Sequence, residues 1–256
     1  MPITRRALLI SNPGEAGKEN YCKGVYVDIR NYQRLMTSAE GGAWEDQEVI
    51  HMDRPNAKDV RDMVAAVSPR DYVFIMFTGH GWYSTAHKDR ILELKAGEQI
   101  LATDLLGGAK KRTIILDCCQ KVHPEALLEK LARSILNASA AEVGRVPNRG
   151  ACRQLFDECI SNAPESIVKL TSCSIGEYST DDDERGGRYN GSLIGYFDDW
   201  VRAQAKDRFS RNPVAASIVA AHESAAEKTR KLSADLQNPT IEKLRTGPYF
   251  PIAVFA

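Results

Sequence analysis

Two residues that can act together as a nucleophile and a base each follow a short apolar run of this sequence. His80 lies between two glycines after residues 71–78, and Cys119 comes shortly after residues 112–116. A free thiol with a pKa of about 8.5 is only slightly ionised at neutral pH. A neighbouring imidazole can take the thiol proton and later return it to a leaving amine. The pair therefore predicts acyl transfer, with Cys119 as nucleophile and His80 as its acid–base partner.

The two apolar runs are expected to be neighbouring strands that hold these side chains together. Both are β-branched or aromatic without polar alternation, a pattern typical of strands covered on both faces. Functional groups of open α/β sheets gather beyond the carboxyl ends of the strands, and neighbouring strands lie about 4.8 Å apart. Because alternate residues leave a strand on opposite sides, Cys118 is predicted to be the buried neighbour of Cys119.

The backbone around the pair is suited to binding a substrate. The glycines on either side of His80 allow a substrate backbone to approach closely. The amides of Gly81 and Cys119 are natural donors to a developing oxyanion. We therefore predict that these two amides form the oxyanion hole.

Apolar runs alternate with helical patterns along the whole chain, which predicts an α/β fold. The expected architecture is a three-layer α/β/α sandwich with a mostly parallel central sheet, built as a single domain over residues 1–256. Residues 138–165 read as irregular, apart from a short helix near 152–159, because Pro147, Asn148 and Gly150 interrupt a helix. The predicted strands are 6–11, 48–52, 71–78, 112–116, 166–172 and 251–255, the last closing the sheet, with a hairpin at 91–100. The predicted helices are 24–37, 56–67, a segment from 103, 124–136, 192–205 and 214–236.

Composition and charge exclude several classes of protein. Lys and Arg number 34, as do Asp and Glu, so the formal net charge is zero. Nucleic-acid and membrane-surface proteins need a basic excess or stripe, so neither partner is expected. The apolar run 7–10 is too short for a signal peptide core or a membrane span. The six cysteines lack a framework spacing and are expected to be free thiols in a cytoplasmic protein.

Other chemistries fit these residues less well. Cys118, Cys119 and His123 could bind a metal, but adjacent cysteines chelate poorly and no second Cys/His cluster completes four ligands. A redox pair would need C-x-x-C spacing. Residues 12–17 are not the glycine-rich phosphate loop of a flavodoxin-like nucleotide-binding domain. Cys152 does not end a buried strand, so it is a poor candidate for the nucleophile.

The residues around the pair resemble motifs of the caspase and metacaspase superfamily. Residues 77–81 (FTGHG) resemble its strand-end histidine motif, and 116–119 (LDCC) resemble the D-x-C nucleophile motif of metacaspases. Further segments resemble the family in the same order: 22–24 with Asp28, 170–177, 186–189, 237–239 and 250–252. The resemblance implies a caspase-like fold with a large-subunit-like part at 1–138, a connector at 139–165 and a small-subunit-like part at 166–256.

The resemblance implies a cysteine endopeptidase with a protein substrate and a regulatory role such as cell death or microbial defence. Asp28, Thr78 and Asp117 match positions that line the pocket for a basic side chain, which implies cleavage after Arg or Lys. Two carboxylates pair well with a guanidinium and repel an aspartate. The alternative is a catalytically silent caspase-like adaptor or regulatory binding protein, against which the intact His80 and Cys119 argue.

Two departures qualify the resemblance. Gln120 and the two residues after it replace the His-Ser-Gly that often follows the nucleophile, and Ala126 stands where calcium-dependent metacaspases have an acidic residue. We therefore expect no cofactor or metal, and a calcium requirement is not supported. Residues 181–184 (DDDE) are interpreted as a solvated loop, and the alternative is a mobile rim that selects substrates. Activation must come from a partner, a ligand or self-cleavage, for which Arg145 and Arg149 in the connector are candidates.

Overall fold

The structure is a computed structural model that describes residues 3–120, 145–207 and 212–256. Its strands in chain order are β1 (Arg5–Asn12), β2 (Val49–Asp53), β3 (Tyr72–Gly79), β4 (Gly81–Ser84), β5 (Asp89–Lys95), β6 (Glu98–Leu101), β7 (Lys111–Asp117), β8 (Ser166–Thr171), β9 (Asp181–Asp182), β10 (Gly186–Gly187), β11 (Val214–Ser217), β12 (Thr240–Glu242) and β13 (Pro251–Phe255). Its helices are α1 (Gly24–Thr37), α2 (Ala57–Val67), α3 (Arg149–Asn162), α4 (Arg188–Lys206) and α5 (Ile218–Leu232).

A six-stranded sheet in the order β12-β8-β7-β3-β1-β2 forms the centre of the fold. The strands from β8 to β2 pair in parallel, and β12 joins the edge antiparallel to β8. Parallel strands are joined by crossovers that cover both faces of the sheet, and this requires strands that are apolar throughout. The runs 71–78 and 112–116 meet that requirement, which is why both lie inside the sheet.

Alternate residues of the strands feed two hydrophobic cores, one on each face. Leu9 and Met76 pack on the face that carries α1, α3, α4 and α5, whereas Leu8 and Ile75 pack on the face that carries α2 and the hairpin β5–β6. The period of two along a strand produces this division. The expected α/β/α layers around a mostly parallel sheet are confirmed.

The predicted bounds of α1 agree with the structure, but two expectations near the carboxyl terminus are wrong. The helix expected at 214–236 begins only at Ile218, because Ser217 caps it by accepting from the amide of Ala220 at 3.1 Å. The preceding residues form β11, which pairs with β13 in a separate two-stranded sheet. The central sheet is therefore closed at this edge by β12 and not by residues 251–255.

The described part of the connector, from residue 145 onward, is more ordered than its composition suggested. Residues 149–162 form the 14-residue helix α3 in place of the short helix expected near 152–159. Asn148, which looked like a helix breaker, is the cap: its side chain accepts from the amide of Ala151 at 2.9 Å. Cys152, Phe156 and Ile160 are spaced by four residues and bury one face of the helix. The helix expected at 124–136 lies outside the described residues.

Arg5 at the start of β1 ties the sheet to α3 through a buried ion-pair network. Its side chain is fully buried; Nη1 lies 3.0 Å from Oδ1 of Asp157, and Nε lies 3.6 Å from Oε2 of Glu48. Nη2 donates to the carbonyl of Gly42 at 2.6 Å, and the guanidinium carbon lies 4.5 Å from the ring centre of Trp44. The expected helical layer therefore depends in part on a buried cation.

Replacing Arg5 by Met should lower the free energy of unfolding by about 3–5 kcal/mol, because the carboxylates of Asp157 and Glu48 lose their buried partner. Arg34→Met is the matched control, since Arg34 pairs with Asp198 at an exposed site, where an ion pair contributes at most about 1 kcal/mol. Urea unfolding of both variants measures the difference. Equal losses would contradict a structural role for the Arg5 network.

Candidate active site

The strand register brings the predicted nucleophile and base to one edge of the sheet. Strands β3 and β7 are parallel neighbours, and Thr78 lies opposite Asp117. His80 and Cys119 each follow one of these paired residues by two positions. Since neighbouring strands lie about 4.8 Å apart, both side chains leave the sheet at the same point of its carboxyl edge. This is the placement on which a dyad depends.

The glycines beside His80 are needed for the turn that positions it. Gly79 has φ +149°, and a Cβ there would collide with the carbonyl of Asn12. A Cβ on Gly81 would lie 2.7 Å from the carbonyl oxygen of Ile91 and 2.9 Å from Sγ of Cys118. Only glycine fits both positions, so the chain can pass from β3 directly into the hairpin β4–β5.

The two adjacent cysteines differ in exposure. Cys118 is 1% exposed and packs in the core beneath the hairpin β4–β5, and burial raises the pKa of its thiol. Cys119 is half-buried, and its Sγ donates to the carbonyl of Ser179 at 3.3 Å. Burial also raises the pKa of the Cys119 thiol. Of the two thiols, Cys119 has the greater access to a substrate.

A loop between β1 and α1 covers the imidazole of His80. Nε2 of His80 is buried and has no hydrogen-bond partner among the described residues. A Cβ on Gly14 would lie 2.9 Å from this atom, so the backbone of the loop packs directly against the ring. The loop is held in place by the side chain of Asn12, which accepts from the amide of Gly14 at 3.0 Å, and by the bond from the amide of Cys22 to the carbonyl of Pro13 at 2.8 Å.

Asp28 and Thr78 meet in a buried polar cluster beside the dyad. Asp28 projects from α1 and is 1% exposed. Its carboxylate accepts from Oγ1 of Thr78 at 2.8 Å, from Nδ2 of Asn190 at 2.9 Å and from the amide of Gly187 at 3.1 Å. Burial raises the pKa of Asp28, and the nearby charge of Asp117 raises it further.

Asp117 joins the same cluster from the end of β7. It is 4% exposed and accepts from Oγ of Ser179 at 2.5 Å and from the amide of Asn190 at 3.3 Å. Burial raises the pKa of its carboxyl. A Cβ on Gly187 would collide with this carboxylate, which explains the glycine there. The structure thus brings together the three predicted pocket residues, Asp28, Thr78 and Asp117.

Asp181, which was expected to lie in a solvated loop, is a third carboxylate close enough to the predicted pocket to interact with the charge of Asp117. The residue is exposed as a whole, but its Oδ2 accepts from the amide of Gly24 at 3.1 Å. Burial of the carboxylate and the charge of Asp117 raise the pKa of Asp181 to about 6. The three residues after it are exposed. The interpretation as a solvated loop therefore holds for residues 183–184, whereas Asp181 and Asp182 form β9 and Asp181 binds Gly24.

Asn190 and Ser179 were also missed, although each touches a predicted site residue. Asn190 donates from its amide to Asp117 and from its side chain to Asp28, while its Oδ1 accepts from Tyr32 at 3.1 Å. It is the third residue after Gly187, so the glycine motif at 186–189 was the nearest available signal. Ser179 has no motif of its own, and only the folded chain links it to the pocket.

The self-cleavage candidates do not contact the dyad. The amide of Arg145 donates to the carbonyl of Ala205 at 2.9 Å, and its guanidinium carbon lies 5.1 Å from the ring centre of Phe255. Arg149 is the first residue of α3, and its guanidinium donates to the carbonyl of Thr37 at 2.5 Å. At Arg149 the expected irregular connector is instead the first turn of α3, and the side chain of Arg149 binds the backbone of Thr37.

Residues 3–120, 145–207 and 212–256 offer neither a cluster of metal ligands nor a membrane-spanning helix. In these ranges no three His, Cys, Asp or Glu side chains are arranged to hold a metal ion. No helix in the same ranges has the length and apolar character to cross a bilayer. Ala126, at the position that bears on calcium, lies outside the described residues.

Comparison with known proteins gives a consistent family assignment. The family model described as the caspase domain matches residues 4–242. The crystal structure of caspase-1 from Spodoptera frugiperda is similar in fold, with a TM-score of 0.55 and 13% sequence identity over 94% of this chain and 86% of that one. No curated protein matches the chain in sequence. Since the family model spans most of the chain and the fold agrees with it, the chain belongs to the caspase family of cysteine peptidases.

Proposed function

We propose that this chain is a cysteine endopeptidase that cleaves proteins after Arg or Lys through a dyad of Cys119 and His80. The observation that carries the proposal is that Ser179 links the nucleophile to an acidic pocket. The carbonyl of Ser179 accepts from Sγ of Cys119 at 3.3 Å, and its hydroxyl donates to Oδ1 of Asp117 at 2.5 Å. A substrate side chain bound by the pocket would therefore present its carbonyl carbon to the thiol.

The reaction follows from the residues at this edge. His80 takes the proton of Cys119, and the thiolate attacks the carbonyl carbon of the residue before the cut. The amides of Gly81 and Cys119 stabilise the oxyanion of the tetrahedral intermediate. His80 then protonates the leaving amine, the C–N bond breaks, and an acyl-enzyme remains on Sγ. Water deprotonated by His80 hydrolyses this thioester and restores the thiol.

The pocket supports selection of a basic side chain. Asp28 and Asp117 are surrounded in the described chain by hydroxyls, amides and each other, so two carboxylates share a dry site. Such a site holds its charges poorly until a cation enters. A guanidinium or ammonium supplies that charge and can bond to both carboxylates. An aspartate would add a third negative charge at the same place.

A fluorogenic peptide that ends in Arg tests the peptidase proposal directly, with Cys119→Ala as the control. Covalent labelling by an Arg-ended chloromethyl ketone, mapped by mass spectrometry, identifies the reactive thiol independently of turnover. Labelling of Cys119 together with release of the fluorophore is the expected result. Absence of both in a folded protein would reject the proposal.

One observation favours the alternative, a catalytically silent adaptor. In this conformation the thiol of Cys119 donates a hydrogen bond to the carbonyl of Ser179, and burial raises its pKa. Both favour the protonated thiol over the reactive thiolate. In an enzyme, a bound substrate or an Arg-ended electrophile must displace this contact. In an adaptor, the contact would persist. The labelling experiment distinguishes the two, because a thiol that stays bonded to Ser179 would not react with an Arg-ended electrophile.

Self-cleavage in the connector should occur after Arg145 and not after Arg149. Residues 145–148 form no helix or strand, and Val146, on the other side of the bond to be cut, is 90% exposed. Cleavage after Arg149 would require the first turn of α3 to unwind and its bond to Thr37 to break. Exposed segments without secondary structure are where chains are nicked.

Intact-mass analysis of the purified protein measures this prediction. Fragments ending at Arg145 are expected in the active protein, absent in Cys119→Ala and Arg145→Ala, and unchanged in Arg149→Ala. A fragment ending at Arg149 would contradict the choice of site. An uncut yet fully active enzyme would overturn the idea that the connector is cleaved for activation.

A further inference from the structure

Gln120, which stands where the family often has His, is buried in a network of its own. Its side chain is fully buried, although the residue follows the nucleophile directly. Oε1 accepts from Nε of Arg90 at 2.7 Å, and Nε2 donates to the carbonyl of Cys173. A buried amide with both ends bonded is held in one orientation, because leaving either group unpaired in a dry site is costly.

The backbone of Gln120 is fixed as well. Its amide donates to the carbonyl of Glu177 at 3.0 Å, and its carbonyl accepts from the amide of Gly176 at 2.8 Å. Together with the bond to Cys173, three hydrogen bonds join Gln120 to residues 173–177. These residues lead into Ser179, which contacts both Cys119 and Asp117. Gln120 thus fixes the position of its neighbour Cys119 relative to residues 173–177, which lead to the proposed pocket.

Arg90 connects this arrangement to the base. Arg90 lies on β5, opposite Tyr83 on β4, and is 9% exposed. Strand β4 begins at Gly81, directly after His80, and β5 also holds His80 through the bond from the amide of Glu93 to the carbonyl of His80 at 3.0 Å. The Arg90–Gln120 bond therefore joins the hairpin that carries the base to the loop that carries the nucleophile.

We propose that Arg90 and Gln120 are positioning residues that set the distance between His80 and Cys119. Neither side chain touches the reacting atoms. Their bond uses a charged donor and lies in a buried site, where such bonds are strong and geometrically restrictive. Proton transfer between a thiol and an imidazole requires them within hydrogen-bond reach, and a displacement of about 1 Å can cost about 100-fold in rate. The inference rests on the proposed dyad.

The test uses Gln120→Met and Arg90→Met, which keep bulk and lose the bond, and Gln120→Glu, which keeps an acceptor for Arg90. The rate of Cys119 alkylation by iodoacetamide is followed against pH by mass spectrometry. This readout needs no peptidase activity, so a failure of the proposed function is seen separately. Values of kcat and KM for an Arg-ended peptide are measured in parallel.

Both Met variants should move the alkylation midpoint to higher pH, because a thiolate without a close imidazolium is less stable. They should also lower kcat by about 100-fold with a smaller change in KM. The double variant should lose no more than Gln120→Met alone, since both single variants remove the Arg90–Gln120 bond. Gln120→Glu keeps this bond but loses the donor to the carbonyl of Cys173, so it should retain more of the rate than Gln120→Met.

Tyr72→Phe is the matched control for loss of a buried hydrogen bond. The hydroxyl of Tyr72 donates to Oγ1 of Thr113 at 2.7 Å, and the pair lies toward the amino ends of β3 and β7. This variant should be destabilised yet keep the alkylation profile. An unchanged profile in both Gln120→Met and Arg90→Met, multiplied losses in the double variant, or an equal shift in Tyr72→Phe would each overturn the proposal.

Discussion

Replacing Cys119 or His80 by Ala should lower kcat/KM for an Arg-ended peptide by at least about 10⁴-fold, because the two side chains act as one unit. Without the thiol there is no atom to form the acyl-enzyme. Without the imidazole the thiol stays protonated, since burial raises its pKa, and the leaving amine receives no proton. The rate of fluorophore release at substrate concentrations well below KM gives kcat/KM for both variants. Circular dichroism tests whether they fold.

Cys118→Ser is the control that separates the adjacent thiols. Cys118 is 1% exposed and lies under Gly81 on the side of the hairpin, so its replacement should leave substantial activity in the folded protein. The new hydroxyl is buried and should lower stability by about 1–3 kcal/mol. Loss of activity in Cys118→Ser at unchanged thermal stability, with activity retained in Cys119→Ala, would reverse the assignment of the nucleophile.

The sequence was sufficient to predict those parts of the fold in which local pattern and burial agree. Residues 71–78 and 112–116 are apolar throughout, and only a strand inside a parallel sheet buries such a run on both faces. The helix at 24–37 matched the structure because its apolar spacing is helical along its whole length. The positions of His80 and Cys119 at one edge follow from the strands that precede them.

Predictions failed where a residue's role depends on distant partners. Asn148 reads as a helix breaker, yet it caps α3, which is stabilised by its buried face and by the bond of Arg149 to Thr37. Asp181 sits in an acidic run, and only the fold turns its carboxylate toward Gly24. In the sequence Gln120 is only a departure from the family motif, because its hydrogen-bond partner, Arg90, lies thirty residues earlier.

The second large effect is expected in the choice of residue before the cut. Peptides ending in Arg or Lys should be cleaved and Asp-ended peptides should not, because Asp28 and Asp117 form a buried pair of carboxylates. Removing one partner of a buried charge pair costs about 2–5 kcal/mol, so Asp117→Asn should lower kcat/KM for Arg peptides by a factor of about 30 to 4,000. A peptide library that varies only this position measures the preference.

Asp181 should make the affinity for substrate depend on pH, and this affinity can be measured in a variant that does not cleave. Its pKa is raised from the ordinary value of 3.8 to about 6, so its carboxyl is neutral below that pH and negative above it. Affinity of Cys119→Ala for an Arg-ended peptide should therefore rise between about pH 5 and 7, and Asp181→Asn should flatten this rise. Asp183→Asn is the control, since Asp183 is exposed and pairs with Lys23 at 3.6 Å.

The choice of residue before the cut has its own contradicting outcomes. Efficient turnover of Asp-ended peptides, or an Arg preference unchanged in Asp117→Asn, would show that the pocket of Asp28 and Asp117 does not select the substrate.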